Sequence, residues 1–277
     1  MHDISVSLAE DLDRRLRTVR FGRPATVRAR LGSTQDEARR LAREGAPEGA
    51  LVWAIEQTRG RGRSDRGWDS PPGAGLWFSV ILRPALPAAE VAFITILAGV
   101  AVAEALNATA GGAVRLKWPN DLLLGEVKLG GILAEAETAG GNVAFVVLGV
   151  GVNLRRPAGG FDSAISPPPA VLADAADGYA YAADGPAGIG PAGLLAAVLA
   201  SLEDWYGRLL AGGAEAVRAR WLELSATIGM EVEAQTATGA VRGRAIDLAA
   251  NGSLVLETAG GRVEVGTGEV IHLRPRA

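Results

Sequence analysis

Short apolar runs joined by tight turns constrain the fold of this chain more than any other feature. Residues 114–154 contain the runs VRLKW, DLLL, VKLGGILAEAET and VAFVVLGVGVNL, separated by Gly-Glu and Ala-Gly-Gly-Asn. Apolar runs separated by glycine- or asparagine-containing turns are typical of antiparallel hairpins. The sequence therefore predicts an α+β fold, in which a mixed and largely antiparallel sheet is packed with helices.

Several segments have the length and pattern of helices that would cover this sheet. Residues 91–108 are apolar on most of the helix circumference, which is typical of a helix buried beneath a sheet. The segment STQDEARRLAREG, residues 33–45, contains a capping box formed by Thr34 and Glu37, and a glycine follows its last turn. Further helices are predicted at residues 194–210 and 214–224.

The pattern changes near residue 228 to short alternating strands: MEVEAQT, AVRGRAIDL, SLVLET, RVEVG and EVIHL. Glycine-containing turns separate these strands at close spacing, as in small all-β domains. We therefore predict a second domain, a small β-barrel, and place the boundary so that residues 1–225 form the main domain and residues 226–277 the barrel.

Composition excludes several classes of function. The 277 residues carry a formal net charge of -3, which argues against general affinity for nucleic acid or anionic membranes. The chain has no cysteine, and its two histidines, His2 and His272, lie at opposite ends. A cysteine nucleophile, a thiolate metal site and a Ser/His/Asp triad are therefore not expected. The N-terminus lacks the apolar core of a signal peptide, so we expect a cytoplasmic protein without a membrane span.

Lysine is confined to one short segment. Of the 28 basic residues only Lys117 and Lys128 are lysines, and arginine supplies every other cation. A lysine is a compact, strongly hydrated point charge, whereas arginine presents a planar fork. The alternatives are chance and a site that requires a compact ammonium group, and the pattern favours the second.

The segment QTRGRGRSDRGW, residues 57–68, concentrates arginine on a glycine-rich backbone. Like-charge repulsion and the backbone entropy of glycine both oppose order, so this loop should be mobile until an anion binds. It is not a phosphate-binding P-loop, because the chain contains no GxxxxGK[ST] sequence. Arginine forks and glycine amides suit an anionic small molecule. A solvated loop, or a single-stranded nucleic-acid site with Trp68 as a stacking platform, remains possible.

A second polar cluster lies in KWPNDLLLGEVKLGGILAE. Lys117, Asn120 and Asp121 precede or begin one strand, and Lys128 begins the next. Paired glycines weaken a strand unless a ligand or another backbone lies against them, and a ligand is the better explanation for Gly130-Gly131. The alternative is that Trp-Pro-Asn-Asp is an ordinary turn.

Four motifs together resemble one known family. STQ at residues 33–35, the arginine loop, KWPND followed by KLGGILAE, and GVGVNL at residues 149–154 resemble biotin-protein ligases, also called biotin-[acetyl-CoA-carboxylase] ligases, over essentially the whole chain. The sequence looks like the short class, without an N-terminal DNA-binding domain. The resemblance makes residues 1–225 a catalytic domain of the biotin/lipoate-ligase type and residues 226–277 an SH3-like barrel.

This resemblance implies a reaction and a set of substrates. The family activates biotin with ATP and Mg²⁺ to biotinyl-5'-AMP, then transfers biotin to one lysine of the biotin carboxyl-carrier domain of an acyl-CoA carboxylase. A monomer or weak homodimer is implied. Two alternatives stay open: a lipoate or octanoate ligase or transferase, and a non-catalytic biotin-binding module.

The resemblance also implies residue roles. Lys128 and Arg63 are expected to act in catalysis by contacting the reacting carboxylate and α-phosphate. Three positions depart from the family pattern, namely Arg59, Asp65 and Gln35, and are expected to affect loop closure rather than the class of reaction. The expected biotin-binding residues are Ser33, Thr34, Gln57, Gly60, Arg61, Arg63, Lys128 and Gly131. The expected ATP-binding residues are Arg63, Arg66, Trp68, Lys117, Asn120 and Asn153.

Overall fold

The computed structural model describes residues 4–87, 90–110, 114–140, 142–162, 165–174, 189–236, 239–266 and 268–272. The helices are α1 (Ile4–Arg15), α2 (Thr34–Arg43), α3 (Val91–Ala110), α4 (Pro191–Leu210) and α5 (Ala214–Leu224). The strands of the first part of the chain are β1 (Ala25–Leu31), β2 (Leu51–Arg61), β3 (Gly67–Ser70), β4 (Gly75–Leu82), β5 (Val114–Lys117), β6 (Asp121–Leu124), β7 (Val127–Ala139) and β8 (Asn142–Asn153). Those of the last part are β9 (Glu231–Thr236), β10 (Gly239–Leu248), β11 (Leu254–Thr258), β12 (Gly261–Val265) and β13 (Glu269–His272).

The first eight strands form one sheet in the order β1-β2-β4-β8-β7-β6-β5, and β3 pairs with β2 off this path. Only β1 and β2 pair in parallel, while β2, β4, β8, β7, β6 and β5 pair with their neighbours in antiparallel fashion. This arrangement confirms the predicted α+β fold and its largely antiparallel sheet. The hairpins of residues 114–154 supply half of the sheet, because each tight turn returns the chain beside the strand that it leaves.

Helix α3 lies beneath the sheet and packs against α4, α5 and the strands β5 and β7. Its apolar residues, among them Ile94, Leu97 and Val100, are fully or almost fully buried in the main core. By length and composition α3 could cross a membrane, but 72% of its apolar window is buried inside the protein. The helix is therefore explained by its place in the core, as its all-round apolar sequence predicts.

Helix α2 covers the opposite side of the sheet and begins one residue away from the predicted cap. The N-cap is Ser33, whose Oγ accepts a hydrogen bond from the backbone N–H of Gln35. The capping box assigned to Thr34 and Glu37 is therefore wrong, because Thr34 is already the first helical residue and its hydroxyl is engaged elsewhere. Ala38 and Ala42 bury the inner face of the helix against the sheet.

The last five strands form a separate antiparallel sheet in the order β12-β11-β10-β9-β13. Among the described residues the edge strands β12 and β13 do not pair, so the sheet is open. It is consistent with the predicted SH3-like domain, although it does not close into a full barrel. The sheet can stay open because its apolar face is buried against the main domain and needs no strands of its own to cover it. Val232, Ala245 and Leu256 join the same core cluster as the helices of the main domain.

Trp118, which follows β5, connects the two sheets through hydrogen bonds. Its indole Nε1 donates to the carbonyl of Gly252 at 2.9 Å, and its backbone N–H donates to Thr227 Oγ1 at 3.1 Å. The indole is 2% exposed. The chain passes from one sheet to the other at Ala226, whose N–H donates to the carbonyl of Leu116. In the described part of the segment between β8 and α4, a 3₁₀ turn lies at Leu172–Asp174.

Candidate active site

The arginine-rich segment forms a β-hairpin, which we call the arginine hairpin (residues 57–70). Strand β2 extends into this segment as far as Arg61, and a 3₁₀ turn at Arg63–Asp65 leads into β3. Gly60 pairs with Trp68, and a Cβ on Gly60 would lie 2.3 Å from the Trp68 carbonyl oxygen. Only glycine allows this close pairing. One reason for the glycine content is therefore strand pairing rather than flexibility.

Trp68 lies across the two strands that carry the glycine motifs. A Cβ on Gly131 would meet its ring at 3.4 Å, and a Cβ on Gly151 would meet its Nε1 at 2.7 Å. The ring packs edge-on against Trp77, with 6.4 Å between centroids. The buried Nε1 of Trp68 has no hydrogen-bond partner among the described residues. The glycines of KLGGIL and GVGVNL thus provide the flat surface on which this indole rests.

Lys128 stands beside Trp68 and opposite Asp121. Its Nζ lies 2.6 Å from Asp121 Oδ1 and 5.3 Å from the Trp68 ring centroid. A register shift between Leu122 and Leu123 separates the Asp121 pair from the Lys128 pair in the β6–β7 ladder. Asp121 pairs with Gly131 at the open end of the hairpin and Lys128 pairs with Leu123 nearer the turn, so their side chains meet diagonally. The lysine is held as a point charge next to an aromatic face.

A buried polar network occupies the start of α2 beneath the arginine hairpin. Gln57 Oε1 accepts from the backbone N–H and the hydroxyl of Thr34, and its Nε2 donates to Ser70 Oγ at 2.8 Å. The hydroxyl of Ser79 donates to Thr34 Oγ1 at 2.9 Å. Ser33 belongs to the same region through its cap on α2. The structure thus brings the expected biotin contacts Ser33, Thr34 and Gln57 into one network.

Arg61 is bound to two carboxylates. Its Nη1 donates to Asp36 Oδ1 and its Nη2 to Glu135 Oε1, each at 2.8 Å. Glu135 also accepts from Arg39 and Gln35. The guanidinium that was expected to contact biotin is therefore used to attach the hairpin to α2 and β7.

Arg63 and Arg66 connect the hairpin with the second sheet. Arg63 Nη1 donates to the Gly268 carbonyl at 3.1 Å and to Asn120 Oδ1 at 3.4 Å. Burial lowers the pKa of Arg63, and neighbouring Asp121 opposes this effect, but an arginine still keeps its charge at neutral pH. Arg66 Nη1 lies 2.9 Å from Glu269 Oε1. That contact lowers the pKa of the Glu269 carboxyl, with burial opposing it and Lys117 and Lys128 adding to it.

Of the remaining expected nucleotide residues, Lys117 ends β5 and pairs with Asp121, and the side-chain amides of Asn120 and Asn153 bind backbone carbonyls. Asn120 follows β5, and its Nδ2 donates to the carbonyl of Ile132. Asn153 ends β8 and is 3% exposed, and its Nδ2 donates to the carbonyl of Ala170 at 3.2 Å. Both amides fix backbone segments that surround Lys128, since the Ala170 N–H donates to the Lys128 carbonyl.

Several contacting residues were not expected from the sequence. Glu135 lay inside the recognised KLGGILAE motif and is the acidic residue of that motif, which was an available signal. Glu269 and Gly268 lie more than 200 positions from their arginine partners, and no local pattern could have linked them. No sequence pattern indicated that Asp36 and Ser79 would contact the expected site residues.

Within the part of the chain that the structure describes, no group of three or more histidine, cysteine, aspartate or glutamate side chains could hold a metal ion. Mg²⁺ bound with ATP needs only one or two protein oxygens, because phosphates and water supply the rest. Asp121 Oδ and Asn120 Oδ1 are hard oxygen donors next to Lys128 and Arg63. This donor set fits a nucleotide-borne Mg²⁺, and these two residues would hold it.

Comparisons of sequence and fold with known proteins match both the main sheet with its hairpin and the second sheet. Residues 28–153 match the biotin/lipoate A/B protein ligase family, and residues 227–273 match the biotin protein ligase C-terminal domain. The fold resembles that of a biotin protein ligase from Aquifex aeolicus in complex with biotin and ATP, with a TM-score of 0.73 and 23% identity. That similarity covers 91% of this chain and 99% of the other.

Two sequence relatives narrow the family assignment. The chain is 35% identical to the biotin--[acetyl-CoA-carboxylase] ligase of Paracoccus denitrificans over 87% of its length and 98% of that protein. It is 34% identical to the enzyme of the same name from Mycobacterium tuberculosis, over 91% of this chain and 90% of that one. The chain belongs to the biotin/lipoate A/B protein ligase family, and within it to the biotin protein ligases.

Proposed function

We propose that this protein joins biotin to a specific lysine of a biotin carboxyl-carrier domain, using ATP and passing through biotinyl-5'-AMP. The observation that carries the proposal is the meeting of Lys128, Asp121 and the arginine hairpin at one end of the sheet, with Arg63 bonded to Asn120. This places two cations beside a surface built from glycine strands and an indole. Such a site suits the pairing of two anionic substrates.

In the first step an oxygen of the biotin carboxylate attacks the α-phosphorus of ATP. The new C–O–P bond forms as the bond to pyrophosphate breaks, and pyrophosphate leaves with its electron pair. Lys128 and Arg63 stabilise the charge that develops on the α-phosphate oxygens. Mg²⁺ neutralises phosphate charge when it is bound with ATP. No enzyme nucleophile is needed, which agrees with a chain without cysteine.

In the second step the neutral amine of the acceptor lysine attacks the acyl carbon of biotinyl-5'-AMP. An amide bond forms, the mixed anhydride breaks, and AMP leaves. The arginine hairpin would cover the anhydride and exclude water between the two steps. We assign biotin to the wall formed by Ser33, Thr34, Gln57, Gly60, Arg61 and Gly131. We assign the nucleotide to Arg66, Trp68, Lys117, Asn120 and Asn153, with Trp68 near the adenine.

The two parts of the chain would have different roles. Residues 1–225 would form the catalytic unit, and residues 226–277 would support ATP binding or the acceptor through their contacts with Arg63 and Arg66. We expect a cytoplasmic monomer or weak homodimer. The acceptor is the carboxyl-carrier domain of an acyl-CoA carboxylase.

The decisive experiment incubates the purified protein with MgATP, biotin and an apo carboxyl-carrier domain, with lipoate in a parallel reaction. The expected result is a mass gain of one biotinyl group on a single acceptor lysine, dependent on ATP. Addition of lipoate in preference to biotin would assign the protein to lipoate ligation instead. Binding of biotin without any transfer would indicate a binding module.

A further inference from the structure

Glu135 lies where strand β7, helix α2 and the arginine hairpin meet. One carboxylate oxygen accepts from Arg61 Nη2 at 2.8 Å. The other accepts from Arg39 Nη2 at 2.7 Å and from Gln35 Nε2 at 2.9 Å. A single side chain thus receives three donors, and only the donor from Arg61 belongs to the hairpin.

The surroundings of Arg61 show that it is a fixed residue. Asp36 Oδ1 accepts from its other terminal nitrogen at 2.8 Å, so carboxylates occupy both ends of the fork. The side chains of Arg61 and Glu135 are 30% and 25% exposed, which shields the pair partly from water. Charge-assisted bonds to both ends of an arginine fork set its orientation as well as its position.

Arg61 leads directly to the backbone that covers the site. Gly60, the residue before it, is buried against Trp68, and the Gly62 N–H donates to the Arg66 carbonyl at 2.7 Å. The other anchors of the hairpin, Arg63 and Arg66, both reach the second sheet. The Gln57–Thr34 bonds hold only the base of the hairpin against α2, and Arg61 ties the part nearer the turn to α2 and β7.

We propose that Glu135 is a positioning residue that holds the arginine hairpin closed through Arg61, so that the acyl-adenylate is retained until the acceptor lysine arrives. This inference rests on the proposed function for the identity of the ligand. The anchoring itself does not depend on that function. Retention would require the hairpin to stay closed longer than the time needed for encounter with the acceptor.

The chain offers a matched control on the same strand. Glu137, two residues further along β7, binds Arg43 of α2 in the same manner, with Nε to Oε2 at 2.9 Å. It makes no contact with the arginine hairpin in the described residues. Glu135→Gln and Glu137→Gln each remove one carboxylate between β7 and α2, but only the first removes an anchor of the hairpin.

The first measurement is amide hydrogen exchange of residues 57–70 in the ligand-free full-length protein. Glu135→Gln should raise exchange in this segment about tenfold, as expected when a local opening becomes easier, while Glu137→Gln should leave it unchanged. Equal exchange in the two variants would overturn the proposal. Because no ligand or activity is involved, this outcome does not depend on the proposed function.

The second measurement is the dissociation rate of biotinyl-5'-AMP, followed by chasing preformed complex with excess biotin and ATP. Glu135→Gln should raise this rate about tenfold with little change in the rate of pyrophosphate release, because the anchor acts on closure and not on the reacting atoms. Arg61→Gln should raise the dissociation rate at least as much, and its rate of pyrophosphate release is not used for comparison because Arg61 is also assigned to the biotin wall. Arg39→Gln removes a different partner of Glu135 and should not. If Arg39→Gln equals Glu135→Gln, the network is merely structural and the proposal fails.

Discussion

The side chains of Lys128 and Asp121 form an ion pair between strands β6 and β7, with 2.6 Å between Nζ and Oδ1, and the centroid of the Trp68 ring lies 5.3 Å from the same ammonium group. The ion pair holds the ammonium in place, and the side chain is partly exposed, so its charge can still act on a bound substrate. A compact cation fits this space between a carboxylate, a ring and the glycine strands, whereas a planar fork needs more room.

Replacing Lys128 with arginine therefore tests the requirement for a point charge. Lys128→Arg should keep the fold and part of the affinity for biotin, but lower the rate of pyrophosphate release about 100-fold or more, as loss of a preorganised transition-state contact does. Circular dichroism and urea unfolding check the fold, and calorimetry checks biotin binding. Pyrophosphate release close to the wild-type rate would show that any cation is sufficient at this position.

Gly151 and Gly131 provide a graded test of the surface under Trp68. A Cβ at residue 151 would lie 2.7 Å from Trp68 Nε1, whereas at residue 131 the nearest ring atom is 3.4 Å away. Gly151→Ala must displace the indole, and overpacking of this kind costs about 1–3 kcal/mol. The affinity for ATP should fall about tenfold on the scale of that cost.

Gly131→Ala is the comparison variant. It leaves the indole in ordinary contact, so ATP affinity should stay within about twofold, a change well below the tenfold step of 1.4 kcal/mol, while biotin affinity falls if Gly131 lines the biotin wall. Isothermal titration with each ligand separates these effects. Equal losses of ATP affinity in both variants would mean that Trp68 does not bind the nucleotide.

The elements that the sequence predicted are those decided by local chemistry. Tight glycine and asparagine turns specify the hairpins of β5 to β8, because a turn fixes the path of the few residues on either side. The choice between Ser33 and Thr34 as the cap of α2 is not local, since both carry hydroxyls and tertiary contacts with Gln57 and Ser79 take one of them.

The partners of the arginines are also set by distant contacts. Arg61 meets Asp36 and Glu135, which lie 25 and 74 positions away in the sequence. Sequence motifs therefore made Arg61 a candidate site residue but could not indicate what its side chain binds. The open second sheet also depends on contacts that are distant in the sequence. The strands of residues 231–272 bury their apolar face in a core that includes helices from earlier in the chain.

Trp118 and Trp77 form a matched pair for measuring the contact between the two sheets. Trp118 Nε1 donates to Gly252, whereas Trp77 Nε1 is buried without a partner among the described residues. Trp118→Phe leaves the Gly252 carbonyl without its donor, and an unsatisfied buried group costs about 1–3 kcal/mol. Trp77→Phe loses no hydrogen bond and incurs only the change in packing.

Urea unfolding of both variants measures this difference. We expect Trp118→Phe to lower the free energy of unfolding more than Trp77→Phe by about 1 kcal/mol or more, which is the cost of the lost bond. A loss in Trp77→Phe that equals or exceeds that in Trp118→Phe would show that the indole hydrogen bond does not hold the sheets together.

The contact between Arg66 and Glu269 should respond to pH. Arg66 lowers the pKa of the Glu269 carboxyl below its ordinary value of 4.5, so the contact contributes stability above pH 4.5, and that contribution is lost as the pH falls through the lowered pKa. Both side chains are more than half exposed, at 58% and 59%, and such pairs contribute about 0.2–1 kcal/mol at most.

Glu269→Gln imitates the protonated carboxyl and isolates this contribution. The free energy of unfolding of the variant should lie below that of the wild type by about 0.2–1 kcal/mol at pH 7. This difference should shrink as the pH falls below 4.5 and through the lowered pKa of the Glu269 carboxyl. Glu264→Gln on β12 serves as the control, because Glu264 forms no ion pair with the described residues. A difference between wild type and Glu269→Gln that persists unchanged at low pH would assign the effect to packing of the side chain, because protonation would then have removed nothing.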